Sequence, residues 1–364
     1  MTQLFSPARI GNLDLKNRMV MAPLTRSRAL QNIPNDLMAE YYAQRAGAGL
    51  IITEGTSPSP NGLGYPRIPG IFNKEQINGW KKITKAVHDK GGKIVLQLMH
   101  TGRVAHPDNL PQGAEVLAPS AVKLETTKLW TDKNGLQEVP IAREMTHDDI
   151  RHTIEEHIQA SKNAIEAGFD GVEIHGANGY LVKQFLNPNS NRRTDEYGGS
   201  IENRSRFLLE VTEGIANAIG KEKVGIRLSP FGLSNETPVY PDAEAMYDYL
   251  SRSLNDLGIL YLHLVDHSAM TGQKVPESLV NTIRHNFKGS LILSGGYDPE
   301  RAETAIKNGN ANLVAFGRPF LANPDLVNRY KNRLPLNSPK FDLFYSAGAE
   351  GYSDYPVFEN AALV

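Results

Sequence analysis

The chain has 364 residues, long enough for one large domain or two ordinary ones, and a formal charge of −1. Neither a basic nucleic-acid surface nor a charged tail is expected from that balance. Cysteine is absent, which excludes disulfides, thiolate metal sites, cysteine-ligated iron–sulfur clusters and a cysteine nucleophile.

The start, MTQLFSPARIGNLDLKNR, lacks the basic region and apolar core of a signal peptide. No apolar run approaches the roughly 20 residues of a membrane span. A cytoplasmic protein with neither nucleic-acid nor membrane partners is expected, as a monomer or small homo-oligomer. Leu4-Phe5 and Ile10–Leu13 read as a short hairpin, with Gly11-Asn12 as its turn. Strand and helix then alternate. Eight short, nearly continuous apolar runs read as parallel strands buried on both faces. They are Arg18–Ala22, Gly49–Thr53, Lys93–Leu98 and Gly171–Ile174, then Lys223–Leu228, Ile259–Leu264, Ser290–Leu293 and Asn312–Phe316.

Helical stripes separate them: Ile77, Trp80, Ile83 and Val87; Ile150, Ile154 and Ile158 behind the Thr146/Asp149 capping signature; Phe207, Val211, Ile215 and Ile219. Asp298-Pro299 and Asn323-Pro324 each place a capping side chain before a first-turn proline. The fold class predicted is α/β, a (β/α)8 TIM barrel forming a single domain over 1–364 with an N-terminal hairpin. From Thr101 to Met145 the chain is rich in Pro, Gly and polar residues. A connection that long is usually functional, and it reads as a lid-like excursion after the third strand.

Barrel enzymes carry their chemistry at the C-terminal ends of strands. Polar or glycine residues collect there: Pro23-Leu24-Thr25-Arg26, Glu54-Gly55, Gln97 with His100, His175, Arg227, Asp266-His267, Ser294-Gly295-Gly296 and Gly317-Arg318. After the fourth strand, His175, Asn178 and Tyr180 combine two uncharged donors with a phenol protonated at neutral pH. Placed on one side of a helical turn, they suit a carbonyl substrate that gains negative charge and then a proton. Gly295 and Gly296 leave backbone N–H groups open to a phosphate, and Arg318 offers a charged fork. No His-x-His pair suits a metal hydrolase, and Lys93 and Lys223 sit at the wrong strand ends for a Schiff base. A phosphorylated organic cofactor that does the redox work fits better.

Met21–Arg26, Leu96–His100, His175–Tyr180, Arg192–Gly199, Ala315–Arg318 and Gly348–Tyr352 together resemble the old yellow enzyme family. The likeness is to its bacterial reductases of N-ethylmaleimide and nitrate esters, and covers nearly the whole chain. It implies FMN across the barrel mouth, with its phosphate at Gly296, Gly317 and Arg318, Thr25 on the flavin carbonyl, and Gln97 and Arg227 at the pyrimidine edge. NADPH or NADH would supply hydride. An activated alkene, or a nitro compound or nitrate ester, would then bind with its oxygen on His175 and Asn178 and take a proton from Tyr180. Tyr65 and Tyr345 would wall the pocket. Met99 stands where many bacterial relatives carry Trp, which implies a roomier pocket. A different barrel flavoenzyme, oxidase or dehydrogenase, and a non-catalytic flavin-binding protein are the alternatives.

Overall fold

Runs such as Leu50-Ile51-Ile52 and Ile94–Leu98 are apolar at almost every position because helices cover one face and the barrel interior the other. In the computed structural model, which describes residues 2–359, eight such runs form parallel strands. They are β1 (Met19–Met21), β2 (Leu50–Ile52), β3 (Ile94–Leu98), β4 (Gly171–Gly176), β5 (Val224–Leu228), β6 (Tyr261–Val265), β7 (Ser290–Ser294) and β8 (Leu313–Phe316). Each pairs with the next, and β8 closes on β1. The (β/α)8 barrel expected from the strand spacing is the observed architecture.

The outer helices are fixed by caps and by one buried stripe each. Lys74–His88 starts with a capping box between Asn73 and Gln76 and buries Trp80, Ile83 and Val87. His147–Glu166 starts with the Thr146/Asp149 box. Each cap side chain is worth about 1 kcal/mol, far less than the burial of the stripe behind it. The helix Ile201–Ile219 turns Phe207, Val211 and Ile215 inward.

Three local expectations differ from the structure. The N-terminal hairpin pairs Ala8–Ile10 with Leu13–Leu15, whereas Leu4 and Phe5 lie in a short 3-10 turn before it. Asn323 does not cap the next helix, which begins at Leu326; its amide oxygen accepts from the Asn337 backbone N–H instead. The excursion from Thr101 to Met145 contains a hairpin, Lys128–Thr131 against Gly135–Glu138, that polar composition had hidden.

Buried charges anchor the loops at the barrel mouth. Arg26 donates to the carbonyls of Phe344 and Gly351, and Arg28 to those of Leu343, Phe344 and Gly348, so the C-terminal segment is held over the β1 end. Arg193 donates to Pro119 and Met145 carbonyls, a structural role for the Arg192–Asp195 run. Glu236, in the loop after β5, accepts from the backbone N–H groups of Glu125, Thr126 and Thr127 and from two threonine hydroxyls. Burial opposes its charge, but these donors prevail and hold its carboxyl down to about 2.

A depressed carboxyl contributes stability that is present above its unfolded pKa, about 4.3, and is lost as pH falls through the folded value. Glu236→Gln should therefore melt below wild type by a constant margin above about pH 5, and the margin should shrink steadily on acidification. A margin independent of pH in thermal melts would show that the charge of Glu236 does not hold the excursion.

Candidate active site

A cavity of about 640 Å³ opens at the C-terminal end of the barrel. Pro23, Leu24 and Thr25 enter it after β1, Gly55 after β2, Gln97 and Met99 from β3, and His175, Asn178 and Tyr180 from β4. Arg227, Gly295, Gly296, Gly317, Arg318 and Tyr345 complete the wall. Tyr65 does not line it; the ring lies behind Tyr180, and the two hydroxyls are 3.0 Å apart. A second cavity, of about 470 Å³, is lined partly by the helices Glu277–Asn286 and Pro299–Lys307. Among the described residues, no buried polar atom without a partner borders it.

The floor of the larger cavity is built to receive a polar ligand. Arg227 is 7 % exposed, and its Nε is buried with no hydrogen-bond partner among the described residues. Burial lowers its pKa and the Glu173 carboxylate opposes that, yet a guanidinium stays charged at neutral pH. The guanidinium also lines the cavity, where its charge can meet an acceptor on a ligand. Gln97 donates its Nε2 to Glu173 Oε1 at 2.7 Å, which leaves its own carbonyl oxygen as an acceptor. Glu173 also meets His263 Nδ1 at 2.9 Å, and His263 Nε2 meets Ser294 Oγ at 2.9 Å. A charged donor beside a neutral acceptor matches the carbonyl and N–H of a flavin pyrimidine edge.

The opposite rim fits a phosphate. Arg318 is exposed and, among the described residues, has no carboxylate partner; its nearest contacts are Met270 Sδ at 3.5 Å and the Phe341 ring. A Cβ on Gly317 would meet only Leu24, at 3.5 Å, and one on Gly296 only Ala269 and the tip of Arg301. Gly296, at φ +63°, and Gly295 also have a backbone reason to be glycine. At φ +112° a Cβ on Gly295 would lie 1.9 Å from the Asp266 carbonyl oxygen, so the turn itself demands glycine there.

The polar wall departs from the geometry expected. β4 continues through His175 and Gly176, and no helical turn joins His175 to Asn178. Asn178 instead adopts a left-handed backbone, φ +57°, a conformation asparagine tolerates well. Its N–H donates to Ser229 Oγ at 2.9 Å, and its carbonyl accepts from Asn235 Nδ2 at 2.8 Å. The His175 Nδ1 accepts the Ala177 N–H, which places the ring proton on Nε2. Burial and then the Arg227 charge push its pKa well below the usual value, so it donates while neutral. Burial also raises the pKa of the Tyr180 phenol, chiefly by desolvation. The Tyr180 ring stands edge-on to His175 at 5.0 Å.

Sequence reasoning missed several partners. His267, noted only as a polar residue after the sixth strand, is hydrogen-bonded to Asn178 at 2.8 Å. Ser229 and Asn235 carried no signal at all, because a loop hydroxyl and a loop amide are ordinary.

The model of the NADH:flavin oxidoreductase / NADH oxidase family matches residues 3–337. A Leishmania infantum protein named "Probable flavin mononucleotide-dependent alkene reductase" is 42% identical over 357 residues, 97% of each chain. A solved morphinone reductase in complex with tetrahydroNAD is 45% identical, covers 98% of both chains and superposes with a TM-score of 0.93. An old yellow enzyme homologue from Zymomonas mobilis is 41% identical, at a TM-score of 0.93 over 98% of this chain and 99% of that one.

The glycines separate fold from site. Gly295→Ala should destabilise the apoprotein by about 3 kcal/mol, from backbone strain and the carbonyl clash. Gly317→Ala should cost about 1 kcal/mol or less. Equal losses in denaturant titrations would mean that Gly317 also serves the turn and leaves no room for a ligand.

Proposed function

The chain belongs to the NADH:flavin oxidoreductase / NADH oxidase family, and from that premise we propose that it reduces activated alkenes. The substrates proposed are α,β-unsaturated carbonyls and maleimides, with nitro compounds or nitrate esters as further electrophiles. The observation that carries this reading is the pairing of two neutral donors and a protonated phenol on one wall of the cavity that the charged Arg227 guanidinium also lines. The similarity to an alkene reductase and to morphinone reductase supports it.

FMN, when bound, would supply the redox chemistry, passing hydride from NADPH or NADH to the β carbon of the substrate. His175 Nε2 and the Asn178 amide donate to the substrate oxygen, and the developing negative charge strengthens those bonds. Tyr180 gives its proton to the α carbon. Arg227 would offset negative charge on the pyrimidine side of the cofactor, with Gln97 as acceptor and Thr25 on the same cavity wall from the β1 end. Gly296, Gly317 and Arg318 would hold the phosphate. Val104, Leu124, Leu129 and Val139 of the long excursion pack with Tyr65 and Tyr180. They act as a lid that keeps water from the phenol. An oxidase or a dehydrogenase of saturated substrates needs a base at this position, and the raised Tyr180 pKa argues against one.

Tyr180→Phe keeps the ring and removes the proton. Flavin reduction by NADPH should stay within a few-fold, while reoxidation by 2-cyclohexenone should slow by roughly 10²–10⁴-fold. Equal slowing of both half-reactions in stopped flow would assign Tyr180 to cofactor positioning. The sign of the pH dependence follows from the raised pKa. The phenol is protonated below that value, so the alkene half-reaction keeps its acid from about pH 6 to at least pH 9. A loss of rate centred near neutrality would exclude the phenol as the acid.

Arg318→Ala removes one partner of a charge-assisted contact. FMN affinity should fall on the order of 30-fold or more, with little change in apoprotein melting. Weaker apoprotein with unchanged FMN affinity would place the phosphate elsewhere.

A further inference from the structure

The left-handed backbone of Asn178 is fixed on both sides. Its N–H is held by Ser229 Oγ and its carbonyl by Asn235. Lys183 Nζ in turn donates to the Ser229 carbonyl at 3.1 Å, the Ser229 hydroxyl at 3.1 Å and the Gly232 carbonyl at 2.6 Å. None of these contacts decides which end of the Asn178 carboxamide faces the cavity. A carboxamide has nearly the same shape either way round, so packing cannot choose, and only a hydrogen-bond partner can. That partner is His267 Nε2, 2.8 Å from Asn178 Oδ1.

We propose that His267 is a positioning residue for alkene reduction: by donating Nε2–H to Asn178 Oδ1 it turns the Asn178 NH₂ toward the substrate oxygen. The proposal rests on the reading of Asn178 as an oxygen-binding group. With Oδ1 occupied, the amide nitrogen is the part of Asn178 left to meet a ligand, and it adds a second donor beside His175 Nε2. Without His267 the amide is free to rotate, and its carbonyl would face the substrate oxygen lone pair to lone pair. The ring is nine-tenths buried, and it packs against the loop after β5, where a Cβ on Gly232 would meet its Cδ2 at 3.2 Å. Burial, then the Arg227 and Lys183 charges, bring its pKa down to about 4, so it is neutral at pH 7 and its one ring proton is available for this bond.

The test is a double-mutant cycle on FMN-loaded protein, reading the second-order rate of reoxidation by 2-cyclohexenone, FMN affinity and the melting temperature. His267→Phe keeps an aromatic ring but has no donor, and should slow reoxidation about tenfold, the size of one lost hydrogen bond. His267→Gln can donate from its own amide and should recover the rate to within about threefold. In the Asn178→Ala background, His267→Phe should add less than about twofold, because the two residues act as a unit. FMN affinity should follow wild type in all His267 variants, and the melting temperature should fall by no more than a few degrees, the size of one lost hydrogen bond. If His267→Phe slows the reaction as much without the Asn178 side chain as with it, or if His267→Gln does not rescue, the positioning role is overturned. If Asn178→Ala alone leaves the rate unchanged, the oxygen-binding reading of Asn178 fails first, and is distinguished from a failure of His267.

Discussion

A guanidinium buried in the mouth of a barrel with an unsatisfied nitrogen is costly, and much of this site is arranged around Arg227. Removing a charge from water costs several kcal/mol unless partners replace the solvent. The chain supplies one countercharge, Glu173, on the neighbouring strand β4, and Glu173 is itself held by Gln97 and His263. Among the described residues, none accepts from Arg227 Nε. The guanidinium is therefore charge-compensated in place and still lines the cavity. Parallel strands with interior polar side chains make this arrangement possible, because backbone hydrogen bonds are already satisfied within the sheet.

The same logic extends outward to the loops. Irregular loops are the mobile parts of such barrels, but here several are tied by buried or multiply bonded charges. Arg26 and Arg28 hold the segment that carries Tyr345, Lys183 holds Ser229 and Gly232, and Arg103 donates to the carbonyls of Asn235 and Glu236. Asn235 and Glu236 then link the excursion to the backbone of Asn178. Each tie is a side chain donating to, or accepting from, main-chain groups, so it fixes the path of the chain as well as its charge. The polar wall is thereby held in place by the protein's own hydrogen bonds.

The barrel was legible in the sequence because burial on both faces writes an unbroken apolar run, and all eight runs appear as strands within about a residue or two of their expected ends. Caps were legible where a second signal supported them, as at Thr146 with Asp149, and illegible where only Asn323-Pro324 stood alone. The excursion hairpin escaped notice because Trp130 and Leu136 face solvent, so its pattern is not that of a half-buried strand. The polar residues of the wall were found by position at strand ends, but the reason for their convergence was wrong. A positive φ at Asn178 brings them together, and no spacing rule for helices reveals that. His267 was hidden for a simpler cause: a contact between residues 89 positions apart leaves no local trace.

Titration of apoprotein with FMN, comparing wild type with Arg227→Met, tests the central claim most directly. Wild type should bind one FMN per chain. The variant should lose affinity by roughly 2–5 kcal/mol, at least 30-fold, because the charged donor opposite the pyrimidine edge is gone. Its apoprotein should melt somewhat lower than wild type, because the buried Glu173 carboxylate loses the countercharge beside it. Unchanged FMN affinity would contradict the account, and would make Arg227 a structural residue.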